Sequence, residues 1–114
     1  MTRGTGERLD DVIRACGVIG EYVSDDGLPE HLVYDAVRMR LVEIGEAVRM
    51  LPGEVTASEP SIPWAKVSLL AERLTRRYFD TTPAVVFGTA RTDVPHLCAA
   101  ARRLRAAHVE DATT

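Results

Sequence analysis

The stretch that decides the fold is residues 63–80, Pro-Trp-Ala-Lys-Val-Ser-Leu-Leu-Ala-Glu-Arg-Leu-Thr-Arg-Arg-Tyr-Phe-Asp. Val67, Leu70 and Leu74 recur at the three- and four-residue spacing of one helix face, and Tyr78 extends this apolar stripe by another turn. Proline is favoured in the first turn of a helix, where its missing N–H has no partner to lose. The stretch therefore predicts an amphipathic α-helix with a proline at its start.

The C-terminal end of this predicted helix carries the densest positive charge in the chain, contributed by Arg73, Arg76 and Arg77. One interpretation is a solvated helix end, because cations are favourable near the negative pole of the helix dipole. The other is a surface that binds phosphate groups. Periodicity alone does not separate the two.

The composition is that of an ordinary globular domain. The chain has 114 residues, 46% of them hydrophobic and 27% charged, which suits one domain (1–114) with one core. A formal net charge of −3 argues against binding of nucleic acid or membrane by the whole surface, so any phosphate-binding role needs a local patch. The start of the chain has no apolar run and no stretch is long enough for a membrane span. We therefore expect a cytoplasmic protein without a signal peptide.

The residues that commonly bind metals are few and dispersed. Cys16 and Cys98 each lie inside an apolar helical pattern, which is typical of small buried hydrophobic groups in a reducing cytosol. His31, His96 and His108 are scattered, with no cysteine or carboxylate at ligand spacing. No glycine-rich phosphate loop occurs either. The sequence predicts neither a metal site nor a cofactor.

Apolar periodicity predicts an all-α, up-and-down bundle of four main helices plus a short one. The main helices are predicted at residues 7–24, 29–51 and 63–80 and from Pro95 onward, the short helix at 83–91, a polar loop at 52–62 and a flexible tail from about 109. Leu32 belongs to the predicted apolar stripe of the second helix. Gly45 lies inside that helix at a cost on the order of 1 kcal/mol relative to Ala. It predicts the close approach of another helix, from the same chain or from a second copy.

Residues 34–47 are Tyr-Asp-Ala-Val-Arg-Met-Arg-Leu-Val-Glu-Ile-Gly-Glu-Ala, and residues 62–64 and 74–80 are Ile-Pro-Trp and Leu-Thr-Arg-Arg-Tyr-Phe-Asp. The first stretch resembles the second helix of HepT-like proteins of the HEPN superfamily. The other two resemble that family's third helix. The resemblance extends over about residues 8–105. It implies a homodimeric, metal-independent ribonuclease, the toxin of a two-gene toxin–antitoxin pair whose antitoxin is a minimal nucleotidyltransferase.

The resemblance also implies an active motif of Arg, four residues, His, one residue and Tyr, which falls here on Ala71, Arg76 and Tyr78. Two of the three motif residues are therefore replaced. An imidazole exchanges protons near neutral pH, whereas a guanidinium stays protonated. Loss of a general acid–base group costs about 10²–10⁴ in rate. Arg73 would replace the lost arginine only by reaching from two residues along the helix. We expect a degenerate site, through natural change or engineered substitution.

Two further expectations concern the same residues. In this family the tyrosine can accept adenylyl groups from the antitoxin, so Tyr78 is a candidate modification site, with a half-buried helix-end tyrosine as the alternative. Positions 71 and 76 are about 140° apart on a straight helix, so a site that uses both needs two subunits or a helix end. The alternative function is a non-catalytic helical dimer that binds RNA, a nucleotide or a partner through Arg73, Arg76 and Arg77. A purely structural homodimer is the third possibility.

Overall fold

The computed structural model describes residues 3–76 and 82–108. Within these residues the chain is all-helical, as predicted, with four long helices. Its elements are α1 (Thr5–Ser24), α2 (Glu30–Arg49), α3 (Gly53–Thr56), α4 (Trp64–Arg76), α5 (Pro83–Gly88), a π-helical segment (Thr89–Asp93) and α6 (Val94–Ala107). Arg77, Tyr78 and the predicted tail lie outside the described residues. None of the described helices combines the length and the apolar character needed to cross a bilayer.

The core lies between α1, α2, α4 and α6. α2 packs against both α1 and α4, and α6 packs against α1. The largest side chains with almost no exposure are Leu9, Val12, Ile19, Val37, Ile44, Leu74 and Val86. Burial of such a side chain stabilises the fold by about 1.5–3 kcal/mol. Leu74 therefore confirms the predicted apolar stripe of α4, on which Val67 and Leu70 are half-buried.

The start of α4 is fixed by Trp64 and Glu59. The indole Nε1 of Trp64 donates a hydrogen bond of 3.0 Å to the carbonyl oxygen of Glu59. The carboxylate of Glu59 accepts two hydrogen bonds, of 3.0 and 2.7 Å, from the guanidinium of Arg103 on α6. Paired hydrogen bonds of this kind fix both distance and orientation. The segment before α4 is thereby tied to α6.

Two predicted boundaries were wrong. The segment predicted as a loop at 52–62 contains α3, whose four residues are too few to show apolar periodicity. The predicted break before Pro95 is absent, because α5, the π-helical segment and α6 follow one another directly. The N–H of Val94 bonds the carbonyl of Thr89, five residues earlier. This wider turn accommodates the proline, which lacks an N–H and lies in the first turn of α6.

The predicted burial of Leu32 was also wrong, because its side chain is 52% exposed. It lies at least 100° around α2 from the buried Val33 and Val37. Met39 lies seven residues after Leu32, and Met50, the residue that caps the end of α2, lies eleven residues after Met39; their side chains are 48% and 50% exposed. These spacings place all three on one side, which we call the α2 outer stripe.

Candidate functional site

The two helices that carry the family-like segments, α2 and α4, come closest at Gly45 and Ala71. A β-carbon added to residue 45 would overlap the β-carbon of Ala71 and lie 3.2 Å from the carbonyl oxygen of Val67. Ala71 is accordingly only 3% exposed. The predicted approach of another helix at Gly45 is confirmed, and the neighbour is α4 of the same chain. The contact leaves no room for a longer side chain, so an arginine at position 71 would have to extend out of the space between α2 and α4.

Arg76 lies on a different side of α4 from Ala71. Its side chain is 76% exposed and forms an ion pair of 3.1 Å with Glu72, one turn earlier. α4 is continuous from Trp64 to Arg76, so about 140° of rotation separates positions 71 and 76. The structure therefore does not bring these two positions of the family motif together on one face.

Arg76 borders an open groove of about 520 Å³ between α2 and α4. The groove is lined by Gly45, Glu46, Arg49, Ala65, Ser68, Leu69, Glu72, Thr75 and Arg76. Arg49 donates a hydrogen bond of 2.7 Å to Glu46. This bond and the charge of Glu46, followed by the charge of Glu72, raise the pKa of Arg49. Two arginines and two glutamates thus neutralise one another, and the described lining of this groove contains no histidine.

The other candidate residues of the sequence do not line the groove beside Arg76 within the described part of the chain. Arg73 is exposed and makes no ion pair within the described part of the chain. Arg77 and Tyr78 follow α4 outside the described residues. His31 and His96 are exposed near the starts of α2 and α6, and neither lines the groove beside Arg76. Within residues 3–76 and 82–108, no group of three or more His, Cys, Asp and Glu is placed to hold a metal ion.

Arg38 on α2 is a residue of this region that sequence reasoning missed. Its Nη1 donates a hydrogen bond of 2.9 Å to the carbonyl oxygen of Leu74. A cation is favourable near the C-terminus of a helix, and Leu74 lies two residues before Arg76, the last residue of α4. Arg38 therefore adds a positive charge close to the end of α4. The two residues are 36 positions apart, so no local spacing pointed to their contact.

A second missed group joins α2 to the π-helical segment. The rings of Tyr34 and Phe87 have centroids 6.2 Å apart, and the guanidinium carbon of Arg91 lies 5.2 Å from the centroid of Phe87. Aromatic pairs and cation–ring contacts at such distances are attractive. This group holds the start of α2 against α5.

The profile of the family described as ribonuclease HepT-like matches residues 8–104. The chain belongs to the HepT-like ribonuclease family. The resemblance on residues 34–47 and 62–80 is therefore confirmed at the level of the family.

Curated relatives agree with this family. A protein of Thermococcus cleftensis named "Probable ribonuclease HepT" is 28% identical over 109 residues, which cover 92% of this chain and 99% of the relative. A protein of Methanocaldococcus jannaschii named "Gamma-glutamylcyclotransferase and putative RNase" is 29% identical over 93 residues. Those residues cover 78% of this chain but only 42% of that longer relative. No solved structure matches the HepT-like chain.

Proposed function

We propose that this HepT-like protein is the toxin component of a toxin–antitoxin pair and that its ribonuclease site is degenerate. The proposal rests on the surroundings of the two residues at which the family motif is replaced. Ala71 is buried on Gly45, and Arg76 is exposed and paired with Glu72. Neither side chain exchanges a proton near neutral pH.

The chemistry of RNA cleavage explains why this matters. Cleavage without a metal needs a proton taken from the 2′-hydroxyl and another given to the 5′-oxygen that leaves. A guanidinium, such as that of Arg76, is able to bind phosphate but does not shuttle protons. The carboxylates of Glu46 and Glu72 are held by arginines at 2.7 and 3.1 Å. Loss of the acid–base group lowers the rate by about 10²–10⁴, which raises the barrier by roughly 3–5 kcal/mol.

Cleavage of a labelled RNA in EDTA tests the degenerate site. The parent chain should be inert, as should the single variant Arg76→His. The double variant Ala71→Arg plus Arg76→His should cleave, because residues that act as one catalytic unit are strongly non-additive. Helical circular dichroism must accompany each assay, since the new arginine enters the contact with Gly45. A parent chain as fast as the double variant would refute the proposal.

The toxin role implies two partners. One is a second copy of the chain, and the exposed α2 outer stripe supports it because large apolar side chains on one side are typical of an interface. The other is a minimal-nucleotidyltransferase antitoxin. The simplest test of the antitoxin partner is to identify the neighbouring gene, because an adjacent gene for a minimal nucleotidyltransferase favours the toxin–antitoxin role. Its absence would favour the second candidate.

The second candidate function is a non-catalytic helical dimer that binds RNA, a nucleotide or a partner protein. It is favoured by Arg73, which is exposed and makes no ion pair with the described residues. Fluorescence anisotropy with a labelled RNA should show weaker binding for Arg73→Gln, since each phosphate contact contributes to affinity. Arg14→Gln is the matched control, because Arg14 is 72% exposed but lies on α1. Equal losses for both variants would indicate unspecific attraction.

A further inference from the structure

The two cysteines of the chain face the same groove. This groove of about 620 Å³ is bordered by α1, the π-helical segment and α6, and small residues such as Gly20, Ala90 and Ala99 contribute to its lining. Cys16 on α1 is 4% exposed, whereas Cys98 on α6 is half-buried. The expectation of two small buried hydrophobic groups therefore fits Cys16 and only partly fits Cys98.

The two thiols line the same groove and are carried by two helices, α1 and α6, that pack against each other. Burial raises the pKa of Cys16 to about 12, and the charge and the hydrogen bond of the Cys98 side chain act in the same direction. The positive charge of Arg102, which also lines the groove, acts in the opposite direction. Side chains from two packed helices thus bring two thiols to one opening to solvent.

We propose that Cys16 and Cys98 form a dithiol site that a hydroperoxide oxidises reversibly to an intrachain disulfide between α1 and α6. Cys98 reacts first, because the groove admits a small oxidant to its sulfur. Cys16 reacts second, because it is shielded from solvent and faces the same groove as Cys98. The site is separate from the groove beside Arg76, so it does not depend on the proposed ribonuclease ancestry.

The reaction balances in two steps. The Cys98 thiolate attacks one oxygen of hydrogen peroxide, the O–O bond breaks, and protonation of the leaving hydroxide releases water and leaves a sulfenic acid. The sulfur of Cys16 then attacks the sulfur of Cys98, and the sulfenic hydroxyl leaves as a second water with the Cys16 proton. Two thiols lose two electrons and two protons in total, and one peroxide is reduced to two waters.

The disulfide would tie the two ends of the described bundle together. It closes a long loop that contains α2, α3, α4 and α5. A cross-link of this kind reduces the conformational freedom of the unfolded chain, and the effect grows with loop length. Oxidation should therefore raise the melting temperature by on the order of 10 °C.

The test is to treat the full chain with a small excess of hydrogen peroxide, block remaining thiols under denaturing conditions with N-ethylmaleimide, and measure the intact mass. The expected product is a monomeric chain that has lost two hydrogens and takes up no maleimide. Dithiothreitol should restore both thiols and the original melting temperature. Non-reducing peptide mapping should link the peptides of Cys16 and Cys98.

Two variants separate the roles of the cysteines. Cys16→Ser should allow Cys98 to proceed to sulfinic acid, and Cys98→Ser should leave Cys16 unmodified. The parent chain decides the question even if a variant fails to fold. A parent that gains oxygen at Cys98 while Cys16 still takes up maleimide, or that forms only disulfide-linked dimers, would overturn the proposal.

Discussion

Gly45 of α2 and Ala71 of α4 touch so closely that a β-carbon on residue 45 would overlap the β-carbon of Ala71 and come within 3.4 Å of its α-carbon. Only the smallest side chains permit this approach. Position 71, to which the resemblance assigns the motif arginine, therefore lies in a helix–helix contact.

Gly45→Ala should destabilise the protein. The added methyl group overlaps Ala71 and presses on the backbone of Val67, and such overpacking costs about 1–3 kcal/mol, which outweighs a helix-propensity gain of up to about 1 kcal/mol. Urea unfolding should show that the free energy of unfolding falls by about 1 kcal/mol. Gly17→Ala on α1 is the matched control, because nothing lies within 4 Å of its added β-carbon. Equal gains in the free energy of unfolding for both variants would contradict the α2–α4 contact.

The ion pair of Glu59 and Arg103 should make stability depend on pH. Hydrogen bonds from Arg103 hold the pKa of the Glu59 carboxyl below its ordinary value. A lowered pKa stabilises the folded state above the ordinary value, and this contribution is lost as the pH falls below about 4. The melting temperature of Glu59→Gln should therefore lie below that of the parent at neutral pH and approach it in acid. Glu54→Gln, at an exposed position of α3, should show no such trend.

The parent chain should be a homodimer at micromolar concentration. Leu32 and Met39 lie on one side of α2 and are about half exposed, so a second copy can cover them. The double change Leu32→Glu plus Met39→Glu should give monomers in light scattering, because an interface that buries two unpaired charges is costly. Val85→Glu is the control, since Val85 is 49% exposed on α5. A parent chain that is only monomeric would count against the dimer.

Tyr78 should accept an adenylyl group. It lies outside the described residues, and the resemblance assigns it to the position of the family's tyrosine. After incubation with ATP and the cognate nucleotidyltransferase, intact-mass analysis should show adenylyl additions that Tyr78→Phe abolishes. Tyr22→Phe, a half-buried tyrosine on α1, should leave the additions unchanged. Additions that survive Tyr78→Phe would place the modification elsewhere.

Apolar periodicity was sufficient to predict the long helices, but not every buried residue or the short helical segments. The stripes through Leu74 and Val37 predicted which sides of α4 and α2 are buried, because one helix face must leave water. The same reasoning failed for Leu32, because an apolar residue at the edge of a stripe is buried only where a neighbouring helix reaches it. α3 is too short for any period, and the π-helical segment depends on the backbone around Pro95.

The sequence by itself determined the all-helical class and the family, because these depend on residue types and on spacing along the chain. Only the tertiary structure decided what surrounds the residues at the predicted motif positions. It placed Ala71 against Gly45, Arg76 beside Glu72, and Arg38 on the carbonyl of Leu74. It also placed Cys16 and Cys98 along the same groove. Contacts between residues far apart in the chain are set by how helices cross, and periodicity within one helix carries no information about that crossing.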